Sequence, residues 1–96
     1  MTQAETQPDA AETRLKRLRF RAWHRGIKEM DIILGSFADK ELAGLGADDL
    51  DRFEALLEVP DTQLYNWVSG REPVEDAHDH DLFRRICAFE DLSSRI

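Results

Sequence analysis

The residues best suited to chemistry stand together in Arg25-Gly26-Ile27-Lys28-Glu29, where a basic stretch gives way to an apolar one. A guanidinium is a planar fork of donors that suits a carboxylate or a phosphate. Glycine lets the backbone turn and lets a partner approach closely. A glutamate in the first turn of a following helix is favoured by the helix dipole. The set makes a charged recognition element. It could equally be a helix C-cap followed by a local Arg25–Glu29 pair, and spacing alone favours that plainer account.

Other candidates are weaker. His78-Asp79-His80-Asp81 alternates metal-ligand types, but residues two apart on a helix do not share a face. Nothing else in the chain completes a tetrahedral set, so no metal site is expected. Asp79 reads more simply as the N-cap of a last helix. Asp48-Asp49-Leu50-Asp51 lacks the glycine and closing glutamate of a calcium loop and reads as helix capping. The single cysteine, Cys87, excludes an intrachain disulfide, and its apolar neighbours suggest an inert core thiol. Phosphate loops, nucleophile elbows and dinucleotide fingerprints are absent from the sequence. No catalytic residue is assigned, and the chain is not expected to be an enzyme.

Size agrees. Ninety-six residues make one domain that buries about 60–65% of its unfolded surface. That is room for one core, without a deep dry cavity. The net charge is −7 and the pI about 4.8, which argues against a nucleic-acid partner. The charge is uneven. Between Arg14 and Lys28 lie seven basic residues and no acidic one, whereas Glu29 to the end carries a net −11. An acidic protein patch is the better partner for the basic stretch. With no apolar run of the length needed to cross a bilayer and no leader-like start, the expectation is a cytoplasmic bacterial protein without membrane insertion.

The elements that position these residues are helical. Residues 1–12 are polar and read as a disordered tail. Thr13 is a plausible N-cap for a first helix with Leu15, Leu18, Ala22 and Trp23 inward, ended by Gly26. A second helix begins near Ile27, lined by Met30, Ile33, Leu34 and Phe37, and closes at Gly44 to Gly46. Asp48 caps a third, with Leu50, Phe53, Leu56 and Leu57 inward, stopped before Pro60. Asp61 caps a short fourth with Leu64, Trp67 and Val68, closed by Gly70. Asp79 to Glu90 makes the last, with Leu82, Phe83, Ile86, Cys87 and Phe89. No stretch alternates as a strand does. The fold class is therefore all-α: a compact five-helix bundle over residues 13–91, with short connections and a C-terminal tail at 92–96.

The run from Arg21 to Phe37 resembles the signature of the succinate dehydrogenase flavinylation factors, the SdhE-type FAD assembly factors and their mitochondrial relatives. There, Arg-Gly-x-x-Glu is followed by an apolar, Asp-containing helix ending near a Phe. Leu56, Leu57 and Glu58, then Asp61 to Trp67, resemble the family's second block. The resemblance spans about residues 14–90. It implies a five-helix fold and a non-enzymatic helper that binds the flavoprotein subunit of succinate dehydrogenase and, in some bacteria, of fumarate reductase. FAD is implied as the group attached covalently to that partner, not as a resident cofactor. Carried over by position, Arg25, Gly26 and Glu29 are expected at the partner's flavin site, with Asp31 helping the contact. Many members have a second arginine before the motif; here it is His24, which can still donate hydrogen bonds. A regulatory, antitoxin-like protein binder is the alternative from a different class, and a nucleic-acid binder using the basic helix is a weaker one.

Overall fold

Helix formation starts earlier than Thr13. Ala10 and Ala11 are strong helix formers and Glu12 complements the dipole of the first turn. Thr13 thus lies inside the helix and does not cap it. The structure, a computed structural model, describes residues 10–89. The remainder of the expected N-terminal tail, Glu90 and the tail at 92–96 lie outside the described residues. Five α-helices follow in order: α1 Ala10–Trp23, α2 Lys28–Glu41, α3 Ala47–Leu57, α4 Asp61–Val68 and α5 Asp81–Cys87. Short 3₁₀ turns at Leu42–Gly44 and Asp76–His78 lie between them, and no strand occurs among the described residues.

The expected apolar faces converge on one core. Leu18 and Ala22 of α1 meet Met30, Leu34 and Phe37 of α2, Phe53 and Leu56 of α3, Leu64 of α4, and Leu82 and Ile86 of α5. Phe37 stacks on Phe53 at 6.1 Å between ring centroids and receives the edge of Phe89 at 5.5 Å. Burying such side chains contributes about 1.5–3 kcal/mol each. Two small residues escaped the periodic reading: Gly35 and Ala38 are buried on α2. Gly35 sits beneath the Trp23 indole, and a Cβ there would overlap the ring. Its absence lets the end of α1 lie on α2. Trp23 Nε1–H reaches both carboxylate oxygens of Asp39 at 3.3 Å.

The helix ends differ from expectation in instructive ways. Asp48 lies in the first turn of α3, whose N-cap is Gly46 without a side-chain bond. Asp61 is the first residue of α4, behind Pro60, so its carboxylate is available for other work. Gly70 does close α4: its φ of +83° suits glycine, and Gly70 N–H and Arg71 N–H donate back to the carbonyls of Trp67 and Asn66. α5 is shorter than expected. His80 caps it, its Nδ1 accepting from Phe83 N–H at 3.1 Å, while Asp79 accepts from Arg84 at 2.7 Å. Cys87 ends α5 and is exposed, not a core thiol, because the chain turns there and Phe89 takes the inward place.

The cap makes the fold sensitive to acid. As Nδ1 accepts, the neutral imidazole of His80 carries its proton on Nε2, an atom buried without a partner among the described residues. Burial, then the positive charge of Arg52 and the neighbouring His78, hold its pKa below the ordinary imidazole value. The unfolded chain, titrating near about 6.5, takes up a proton that the folded chain refuses. Stability is thus full above that pH and falls as pH drops towards the lower folded value. Thermal unfolding followed by circular dichroism should show the melting temperature falling below about pH 6.5. His80→Asn, which keeps a capping acceptor, should flatten that fall.

Candidate functional site

The motif is built where the α1–α2 junction meets the corner between α3 and α4. α3 ends at Leu57; the Ala55 and Leu56 carbonyls accept from Glu58 and Val59 N–H, and the Leu57 carbonyl is left at the negative end of the helix dipole without a backbone donor among the described residues. Arg25 fills that need. Its Nη1 donates to the Leu57 carbonyl at 2.6 Å and its Nη2 to that of Val59 at 2.5 Å. Its Nε donates to Asp61 Oδ1 at 2.6 Å. The second oxygen of Asp61 accepts from Gly26 N–H. One carboxylate thus grips both the side chain of Arg25 and the backbone after it. Asp31, in the first turn of α2, accepts from Arg25 N–H at 2.5 Å.

Both partners of the ion pair are withdrawn from water, the side chains being 9% exposed for Arg25 and 18% for Asp61. A withdrawn pair of charges is tolerated when its remaining hydrogen-bonding capacity is satisfied, which the two carbonyls and the glycine N–H accomplish here. The local Arg25–Glu29 pair of the plainer sequence reading does not form; Arg25 pairs with Asp61 instead. Nor is Gly26 required by a left-handed backbone, since Gly70 alone has a positive φ among the described residues. Gly26 is required by proximity: a Cβ there would stand 2.5 Å from Asp61 Oδ2.

Glu29 is placed differently. It is exposed, with no hydrogen bond or ion pair among the described residues. It borders an open cleft of about 320 Å³ whose walls include Ile33, Tyr65, Val68, Ile86 and Phe89, with Cys87 at the edge. The guanidinium of Arg71 lies over the Tyr65 ring at 5.9 Å. Apolar walls with one unpaired carboxylate are suited to holding a partner's side chains and orienting a donor among them. His24 lies outside the clasp. Its ring stacks on Phe20 at 3.9 Å and its Nδ1–H donates to the Phe20 carbonyl at 2.7 Å.

The fold therefore joins Arg25, Gly26 and Asp31 into one clasp, sets Glu29 apart on a cleft, and leaves His24 on the surface. The residue that sequence reasoning missed is Asp61, which read as a cap. Its signal was the unmet fork of Arg25, but a partner 36 residues away is tertiary information. His78 and His80 serve packing and capping: His78 lies against Trp67 at 5.6 Å. No group of three or more His, Cys, Asp or Glu suited to a metal occurs among the described residues. No helix among them is long and apolar enough to cross a membrane.

A family model described as flavinator of succinate dehydrogenase matches residues 16–90, and the chain belongs to that family. The chain is 40% identical over 79 residues to the FAD assembly factor SdhE of Pseudomonas aeruginosa, covering 80% of this chain and 90% of that protein. It is 37% identical over 78 residues to the FAD assembly factor SdhE of Acetobacter pasteurianus, covering 81% and 72%. The mitochondrial succinate dehydrogenase assembly factor 2 of Mycosarcoma maydis is 39% identical over 66 residues, which are 69% of this chain and 28% of that longer protein.

The clasp makes Gly26 a test of the geometry. An added methyl must displace the Asp61 carboxylate, which Arg25 holds in place. Gly26→Ala should lose about 1–3 kcal/mol in urea unfolding, with the helical spectrum of the folded state preserved.

Proposed function

We propose that the chain is an assembly factor that binds the flavoprotein subunit of succinate dehydrogenase and promotes covalent attachment of FAD to it. The flavoprotein of fumarate reductase is a second acceptor of the same kind. The site of action is the bacterial cytoplasm, and the chain itself is not the catalyst. The observation that carries this reading is the division within the motif. Arg25, Gly26 and Asp31 are held by the fold, while Glu29 stands unpaired on an apolar cleft beside them. Membership of the flavinator family supports the choice of acceptor.

Attachment joins a histidine of the acceptor to its bound flavin, so both reacting groups already lie on the partner. A helper gains most by fixing their mutual geometry, and orientation can supply about 7–11 kcal/mol of a barrier. In this reading the cleft seats an apolar segment of the flavoprotein. Glu29, free to accept hydrogen bonds, fixes the register of that segment. Arg25, Gly26 and Asp31 contribute by presenting a rigid junction, with their exposed edges against the partner. His24, where many members carry arginine, borders the same surface; with its Nδ1–H given to the Phe20 carbonyl, its Nε2 offers the partner an acceptor. FAD belongs to the acceptor throughout, and no cofactor is proposed to reside in this chain.

The test mixes apo-flavoprotein, FAD and this chain, and reads flavin fluorescence in a denaturing gel. Covalent flavin should accumulate faster with the factor than without it. Glu29→Ala should abolish the gain while changing folding stability by no more than about 0.5 kcal/mol, as a surface substitution does. No gain from the wild-type factor, or full activity in Glu29→Ala, would contradict the proposal.

A further inference from the structure

The basic residues between Arg14 and Lys28 fall into two sets in the fold. Arg14 pairs with Asp51 and Glu54 at 2.8 Å, Arg21 with Glu58 at 2.6 Å, and Arg25 with Asp61 at 2.6 Å. These three arginines tie α1 and its junction to α3 and α4. Lys16, Arg17, Arg19 and Lys28 have no hydrogen bond or ion pair among the described residues.

Lys16, Arg17 and Phe20 share the solvent face of α1, and His24, the residue just past its end, stacks on Phe20. Lys16, Phe20 and His24 follow at intervals of four, one helical face, and all four residues are exposed, whereas Leu18 and Ala22 are buried on the opposite side. Phe20 is 63% exposed and is the one large exposed apolar side chain among the described residues. A single exposed apolar residue is ordinary by itself. This one is stacked on His24, which abuts the motif, and stands among unpaired cations on a chain of net charge −7. Aromatic and arginine side chains together are the composition enriched at protein interfaces.

We propose that this outer face of α1 is a second docking surface, for an acidic protein surface with an apolar recess that receives Phe20. Resting on the function proposed above, that surface belongs to the acceptor flavoprotein. Charge complementarity selects the partner: the unpaired cations require carboxylates, and opposed patches accelerate encounter. A phosphate polymer fits less well, because three of the five arginines in the stretch are already engaged within the fold.

Titration calorimetry of the full chain with apo-flavoprotein, at low and at about 0.15 M ionic strength, tests this. The double variant K16E/R17E should weaken binding by about tenfold or more at low salt and flatten its salt dependence. Phe20→Ala should weaken binding by about tenfold while leaving the salt dependence unchanged. Both positions are exposed, so melting temperatures should match the wild type. If the wild type binds and both variants bind equally well, the second surface falls while the functional proposal stands. If the wild type does not bind the flavoprotein, both fall. Retention of the wild type, but not of K16E/R17E, on duplex DNA or on phosphatidylglycerol vesicles would overturn the assignment to a protein surface.

Discussion

A guanidinium withdrawn from water must find a carboxylate and acceptors for its remaining donors, or the fold cannot hold it. Arg25 meets that requirement by taking Asp61 and the last carbonyls around α3. The consequences spread outward. Two helix ends that would otherwise leave polar groups unsatisfied are joined at one point. The chain between α1 and α2 cannot drift, because Gly26 N–H is bound to the same carboxylate and Asp31 holds the N–H of Arg25. The start of α2, and with it Glu29, is thereby fixed relative to α4 and α5, which form the other walls of the cleft.

This arrangement separates two duties within one short motif. In the function proposed above, Arg25 and Gly26 act chiefly through the fold, and Glu29, without a partner among the described residues, through the cleft it borders. Loss of activity in a motif variant can therefore arise in two physically distinct ways. Stability measurements distinguish them: a clasp residue lowers stability when replaced, whereas a residue awaiting a partner does not. The arginines between Arg14 and Arg25 divide in the same manner: Arg14, Arg21 and Arg25 are bound to acidic residues between Asp51 and Asp61, whereas Arg17 and Arg19 have no such partner among the described residues.

Much of the fold was legible in the sequence. Periodicity identified all five helices and most of the core, because apolar faces such as Met30, Leu34 and Phe37 recur at helical spacing. Gly70 was legible because a left-handed turn favours glycine. Helix starts were not. Asp48, Asp61 and Asp79 all look like caps, yet backbone geometry placed each elsewhere and gave the last cap to His80. Gly35 was silent because its role is space for Trp23, which no local pattern records. The motif itself could be found, but not its meaning. Whether Arg25 faced Glu29, a partner or Asp61 depended on how α1 and α4 pack.

The central claim is that Arg25 and Asp61 act as one unit, and a double-mutant cycle measures it. Arg25→Met, Asp61→Asn and the double variant would be unfolded in urea beside the wild type. The account predicts a coupling energy of about 2 kcal/mol, with the double variant less damaged than the sum of the singles. A coupling indistinguishable from zero would contradict it.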